Sequence, residues 1–357
     1  MFIFDAHLDL AMNAMEWNRD LTLPLQTIRR REAKMTDKPD RGKGTVCFPE
    51  MHKGDVGLCT ATLIARHIKP KSFLPGWFSQ EQAWGHIQGQ LAWYKAMEKK
   101  GALRQITSVK QLNDHLELWK DIETEYRPVG YVLSLEGADS IVDIDYLEIL
   151  YNQGLRAIGL SHYGKGVYAY GTDSDGRLPK IGKELIKKVT ELGIILDLTH
   201  LSDKCFYDAL GQHDGAVWAS HHMVRRITPH NRQLSDDMIE SILERDGMIG
   251  MALDAWMIVP NWIRGYSTPK RKKVTVDRVI DHMLHIANIA GSTKNIMIGS
   301  DLDGAFGFEQ TPIGVRSIAD IKRKFPEAMA KRGLKEDEIK GILSQNGIDF
   351  LRKHLDQ

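Results

Sequence analysis

Eight short apolar runs recur along the chain, and most of them stop at a polar residue or a glycine. They read FIFDAHLD (2–9), VGLCTATLIA (56–65), VGYVLSLE (129–136), LRAIGLSH (155–162), GIILDLTH (193–200), AVWASHH (216–222), GMIGMAL (247–253) and NIMIGSDLD (295–303). Continuous apolar character, rather than strict alternation, is what strands covered on both faces require. Between most of the runs lie amphipathic segments of helical spacing: GKELIKKVTEL (182–192), SDKCFYDAL (202–210), LSDDMIESILER (234–245) and TVDRVIDHMLHIANIA (275–290). Ser202, Ser235 and Thr275 stand where N-caps are needed. Repeated strand–helix units with eight strands favour closure over an open sheet. The expected fold class is α/β, a (β/α)8 TIM-type barrel with extra helices and an elaborated C-terminal mouth. A chain of 357 residues can bury a core of that size, and residues 1–357 read as a single barrel domain with terminal helices from about 316.

The longer intervals carry the elaborations. Residues 11–54 hold a basic helix, LQTIRRREAKM, followed by a Gly/Lys/Pro-rich loop expected to cover one side of the mouth. Residues 79–127 read as two helices, an aromatic-rich one (79–100) whose rings form a core stripe, and an acidic one (108–126). Residues 254–274 read as a basic, aromatic loop, and residues 304–357 as a glycine-rich loop leading into the terminal helices. With 48 basic against 47 acidic residues there is no global electrostatic reason to bind nucleic acid or an anionic membrane. The three cysteines, Cys47, Cys59 and Cys205, lack CxxC spacing and argue against a disulfide-stapled module; Cys205 reads as a small core residue. No apolar stretch approaches membrane length and no signal core opens the chain, so the expectation is a cytoplasmic protein without membrane contact.

Chemistry collects at the ends of the runs. His7 and Asp9 end the first, Glu136 the third, His162 the fourth, His200 the fifth, His221 and His222 the sixth, and Asp301 and Asp303 the eighth. In a parallel barrel these ends meet around one mouth, where active sites are built. Taken singly, each residue has an ordinary reading: a lone strand-end histidine is a satisfied structural group, and Glu136 before a glycine is a turn. Their joint placement on separate strands points instead to a catalytic metal centre. Imidazoles mixed with carboxylates suit zinc or a similar divalent ion. Enough ligands are present for two ions if one carboxylate bridges them, and such a pair lowers the pKa of a water and polarises a carbonyl. The reaction class implied is metal-assisted hydrolysis.

The motifs DAHLDL (5–10), SLEG (134–137), DLTHLSD (197–203), SHH (220–222) and GSDLDG (299–304), in this order, resemble the membrane (renal-type) dipeptidase family. This is peptidase family M19, within the metal-dependent amidohydrolase-like barrels. The resemblance implies a zinc-dependent dipeptidase that hydrolyses dipeptides with a free C-terminal carboxylate and uses two divalent ions per chain, zinc. It implies that His7 and Asp9 hold one ion, that His200 and His221 hold the other, and that Glu136 bridges both. His221 matches because family members read Ser-His-Ser where this chain has Ser220-His221-His222, which leaves His222 a supporting or core role. His162 resembles the histidine that meets the scissile carbonyl or oxyanion, and Arg232 the arginine that receives the substrate carboxylate. Asp301 resembles the aspartate that orients the water and passes a proton to the departing amine, whereas Asp303 reads as a loop anchor. Arg225 and Arg226 read as anchoring or solvated. A homodimer is a further implication of the family.

Three stretches depart from the family pattern: CFPEMHKGDVGLCTATLIAR (47–66), the Arg232-Gln233 pair, and ALDAWMIVPNW (252–262). They leave the side-chain pockets, and hence the substrate, open. Hydride transfer lacks a GxGxxG segment, and a Ser-His-Asp hydrolase lacks a GxSxG elbow. The alternatives that stay open are a related amidohydrolase acting on an N-acyl amino acid, cyclic amide or lactone, with Trp256 or Trp262 closing its pocket, and a metal-stabilised scaffold without turnover.

Overall fold

Each of the eight apolar runs supplies one strand of a closed parallel ring. The computed structural model describes residues 1–72, 74–121 and 127–356. The strands are β1 (Ile3–Leu8), β2 (Val56–Leu63), β3 (Leu103–Gln105), β4 (Val129–Leu135), β5 (Leu155–Gly159), β6 (Ile195–Asp197), β7 (Val217–His222), β8 (Met248–Met251) and β9 (Ile296–Ile298). The ring runs β1-β2-β4-β5-β6-β7-β8-β9 and closes back on β1, giving a (β/α)8 TIM-type barrel of eight strands. β3 lies outside the ring, with Leu103–Gln105 paired to Val129, Gly130 and Tyr131 of β4.

Burial on both faces explains why the runs are apolar throughout. A side chain from every ring strand, among them Phe4, Leu58, Val132 and Trp218, joins one cluster with Phe350 and Leu351. Side chains of eight strands can touch one another only inside the barrel, so this cluster fills its N-terminal end. The terminal helix Asn346–His354 closes that end, with Phe350 stacked on Trp218 at 5.7 Å between ring centroids. A larger core joins the outer faces of the strands to the surrounding helices.

The returning helices fall at Lys180–Glu191, Asp203–Leu210, Asp236–Leu243 and Val276–Ala290. Ser202 and Ser235 cap two of them by accepting from the Cys205 and Met238 amides, each worth about 1 kcal/mol. Thr275 makes no side-chain cap; its carbonyl accepts from the Arg278 amide at 3.1 Å. The interval 79–127 holds helices Gln80–Lys99 and Val109–Lys120, and the last residues of the acidic segment, 122–126, lie outside the described residues. Residues 254–274 are not all loop: short helices form at Ala255–Ile258 and Pro269–Lys272.

The segment after β1 is tied back to the barrel by buried charge. Arg19 Nε lies 2.9 Å from Glu32, Nη2 2.8 Å from Asp40 and Nη1 3.5 Å from Asp303. Asp303 also accepts from the Thr45 amide (2.6 Å), the Thr45 hydroxyl (2.7 Å) and the Val46 amide (3.0 Å), so it anchors the loop after β9. Removing one partner from such a network strands the others in a dry interior. Arg19→Met is therefore expected to cost about 3–5 kcal/mol in chemical denaturation, and a loss below about 1 kcal/mol would contradict that reading.

Candidate metal centre

Two buried aspartates shape the strand ends before any ligand is placed. Asp5 accepts from the amides of His7 (3.2 Å) and of Ser300 beyond β9 (2.8 Å). Asp197 does the same for the amides of Thr199 (3.0 Å) and Ser220 in β7 (3.1 Å). Each takes up amides where regular pairing gives out and so fixes the backbone that presents His7, His200 and His221. His200 (φ 68°) and Asp301 (φ 56°) then adopt left-handed backbone, a conformation that costs a side chain energy and clusters at functional sites. Gly304 leaves room for the result, since a Cβ there would sit 2.0 Å from Asp301 Oδ1.

The side chains converge on Glu136, which follows β4. Its Oε1 lies 3.3 Å from His200 Nε2, 3.4 Å from His221 Nε2, and 3.7 Å from both His7 Nε2 and His162 Nε2. His7 Nε2 is also 3.8 Å from both Asp9 Oδ1 and Asp301 Oδ1. His200 Nε2 and His221 Nε2 face each other at 3.2 Å. Thr62 on β2 donates to Asp9 Oδ1 and orients that carboxylate. Ligand-distance groups form among His7, His221 and Asp301, among Glu136, His162 and His200, and among His7, Asp9 and Glu136.

Electrostatics fit a cation. Burial, with the Arg232 charge beside it, pulls His7 down to about 3. Burial also holds His162, His200 and His221 well below the usual imidazole range. All four rings are thus neutral, the form that ligates metals. Burial pushes Asp9 up to about 6, and burial reinforced by the Asp9 charge lifts Glu136 and Asp301 well above the carboxylate range. Among the described residues, buried His7 Nε2 has no hydrogen-bond partner. Thr172 Oγ1 lies 3.0 Å from His200 Nδ1 and Ser220 Oγ 3.0 Å from His221 Nδ1. A hydroxyl can accept a ring proton there, which leaves each Nε2 lone pair aimed at the cluster. Crowded carboxylates and converging lone pairs are what divalent ions resolve, and the donor set fits them.

The cluster opens into a cavity of about 570 Å³ lined by Asp9, Glu136, His162, His200, His221, Arg232 and Asp301. Every site residue named from the sequence therefore gathers at one mouth, His7 included through its contacts with Glu136 and Asp301. Arg232 is 2 % exposed; it donates to the His221 carbonyl (2.8 Å) and packs on the His222 ring (3.3 Å). Among the described residues no carboxylate oxygen lies within 4.0 Å of its guanidinium. Arg225 is held by Asp203 at 2.6 and 2.7 Å, and Arg226 is exposed. Trp17 and Lys38 of the N-terminal segment reach the cavity wall, as do Trp256 and Trp262. Arg66, which follows β2, is one of several charged wall residues outside the sequence motifs, with Glu16, Asp173, Asp254 and Arg264.

The sequence profile of membrane dipeptidases, peptidase family M19, matches residues 1–354. The chain belongs to the membrane dipeptidase family. Among curated members, dipeptidase tcpJ of Claviceps purpurea is 28% identical over 236 residues, 63% of this chain and 51% of that protein. An uncharacterized dipeptidase of Schizosaccharomyces pombe is 26% identical over 223 residues, 61% of this chain and 51% of that one. The match thus spans about half the length of these curated relatives. In fold, this member of the membrane dipeptidase family is similar to the crystal structure of dipeptidase AC, an M19 metallopeptidase (TM-score 0.78, 21% identity, 100% of this chain and 99% of that one). It is equally similar to a metallopeptidase from Rhodobacter sphaeroides crystallised with a phosphinate mimic of the dipeptide L-Ala-D-Ala (TM-score 0.78, 20% identity, 99% of each chain). Among the described residues of this family member, no helix is long and apolar enough to cross a membrane.

Proposed function

We propose that this chain is a metal-dependent hydrolase, a two-zinc dipeptidase that cleaves dipeptides with a free C-terminal carboxylate. Arg232 carries the substrate half of that reading: a buried guanidinium with no carboxylate oxygen within 4.0 Å among the described residues opens onto the same cavity as the Glu136 cluster. The charges of Asp301 and Glu136 act on it only from a distance, and a substrate carboxylate would add the direct bidentate pair that it lacks. The dipeptide mimic bound by the Rhodobacter sphaeroides metallopeptidase and the dipeptidase names of the curated relatives support the same substrate class.

His7 and Asp9 would hold one ion, His200 and His221 the other, with Glu136 between them; bound there, the ions would acidify a water and polarise the scissile carbonyl. The protein groups complete the reaction. Arg232 fixes the substrate's C-terminal end, which sets the register of the peptide bond over the cluster. His162 donates a hydrogen bond to the developing oxyanion. Asp301 takes the water's proton and returns it to the departing amine, work suited to a buried carboxyl whose affinity for protons is raised.

Hydrolysis of an N-acyl amino acid is the second reading, favoured by Trp256 and Trp262 in the cavity wall, since such a substrate keeps the carboxylate and replaces the ammonium with an apolar group. The clamp is tested by kcat/KM for a dipeptide and for its C-terminal amide. Wild type is expected to prefer the free acid, and Arg232→Ala to reduce that preference about 10²-fold. A wild type indifferent to the carboxylate, or a variant that keeps the full preference, overturns the assignment.

A further inference from the structure

A second guanidinium faces the first across the barrel. Arg66 follows β2 and Arg232 follows β7, strands that stand opposite each other in the ring. Arg66 stands three residues beyond the end of β2. Its backbone is pinned: its carbonyl accepts from the Trp77 amide at 2.8 Å, and the next amide, of His67, bonds Asp139 at 3.2 Å. Among the described residues no carboxylate oxygen lies within 4.0 Å of its guanidinium nitrogens. Its Nε donates instead to His162 Nδ1 at 2.8 Å.

That bond decides the state of the ring. A guanidinium has only donors, so Nδ1 must offer a lone pair, and a neutral imidazole then carries its proton on Nε2. The approach of Arg66 Nη2 to His162 Nε2, at 3.4 Å, is too long to compete. His200 and His221 have the opposite arrangement, with hydroxyls at Nδ1 that can accept a proton and free Nε2 for a metal. His162 sits within ligand distance of Glu136 and His200, so distance alone would admit it to the metal shell. A nitrogen that bears a proton cannot ligate.

We propose that Arg66 is a positioning residue that locks His162 in the Nε2-protonated tautomer, so that the ring meets the cluster as a hydrogen-bond donor and is kept out of the metal shell. The oxyanion it serves rests on the hydrolase reading above; the tautomer does not. Arg66 thereby sets His162, with a proton to donate, apart from His200 and His221, whose Nδ1 hydroxyl partners leave the Nε2 lone pairs free.

Long-range proton–nitrogen spectra of zinc-loaded protein labelled with nitrogen-15 at histidine test this, with the His162 signals assigned by their loss in His162→Asn. Expected in wild type is an unprotonated Nδ1 and a protonated Nε2. Arg66→Met is expected to lose that pattern and to lower kcat about ten- to a hundredfold while changing KM by less than about threefold. Arg66→Lys, which also offers only donors, is expected to restore both the pattern and most of kcat. A wild-type proton on Nδ1, or a zinc-ligated His162 Nε2, overturns the proposal, and either is readable even if Arg66→Met fails to fold. An Arg66→Met variant that raises KM alone overturns it as well, because Arg66 would then be a substrate contact. Protein that hydrolyses no dipeptide yet shows the Nε2-protonated ring refutes the substrate reading and supports this one.

Discussion

Glu136→Ala is expected to lose metal from both halves of the centre at once. The reason is geometric: Glu136 Oε1 is within 3.7 Å of Nε2 on His7, His162, His200 and His221, so this one oxygen adjoins both proposed ligand pairs. Asp9, by contrast, makes its imidazole contact with His7. Two cations held close together repel, and the carboxylate between them is what offsets that repulsion. Removing it should leave at most one weakly held ion per chain by elemental analysis after dialysis. Hydrolysis should fall by about 10³-fold or more, because neither water activation nor carbonyl polarisation survives. Glu136→Gln tests charge apart from volume and should fail in the same way. Two tightly held ions in either variant would rule out a bridge.

Asp301→Asn carries the second large effect, of a different kind. Asp301 lies 3.8 Å from His7 Nε2 at its Oδ1, and burial together with the charges of Asp9 and Glu136 raises its proton affinity. An amide keeps the shape and tolerates left-handed backbone nearly as well as aspartate, so the loop should stay in place; alanine at φ 56° would add strain and confuse the result. What asparagine cannot do is accept and return a proton. Expected is a fall in kcat of about 10²- to 10⁴-fold, with KM and metal content nearly unchanged. Loss of an ion from Asp301→Asn would make Asp301 a ligand, as its distance to His7 and His221 permits, and would end its assignment as the proton carrier.

The barrel was legible because burial on both faces writes itself into sequence as unbroken apolar runs, and each ring strand falls inside one of them. β3 was not, because Leu103-Arg104-Gln105 is too short and too polar to register; it is held by pairing with β4, a tertiary contact. The helices Ala255–Ile258 and Pro269–Lys272 were missed because four residues cannot display a helical period. At the site, His7, Asp9, Glu136, His162, His200, His221 and Asp301 announced themselves by position, since polar groups at the ends of buried strands have one place to go. Arg66 did not: a long cationic side chain after a strand reads as a solvated charge, and only its direction, back onto His162 Nδ1, distinguishes it. The hydroxyls of Thr172 and Thr62 were also hard to read, because each acts through a proposed ligand from a distant part of the chain, and that of Ser220 because it acts through its neighbour in sequence.

Dipeptide hydrolysis followed while metal-free protein is titrated with zinc addresses the two-ion centre most directly. Activity is expected to be negligible after chelation, to rise as zinc is added, and to level off at about two ions per chain, with Glu136→Ala inactive throughout. A plateau at one ion per chain, or hydrolysis that persists after chelation, would contradict it.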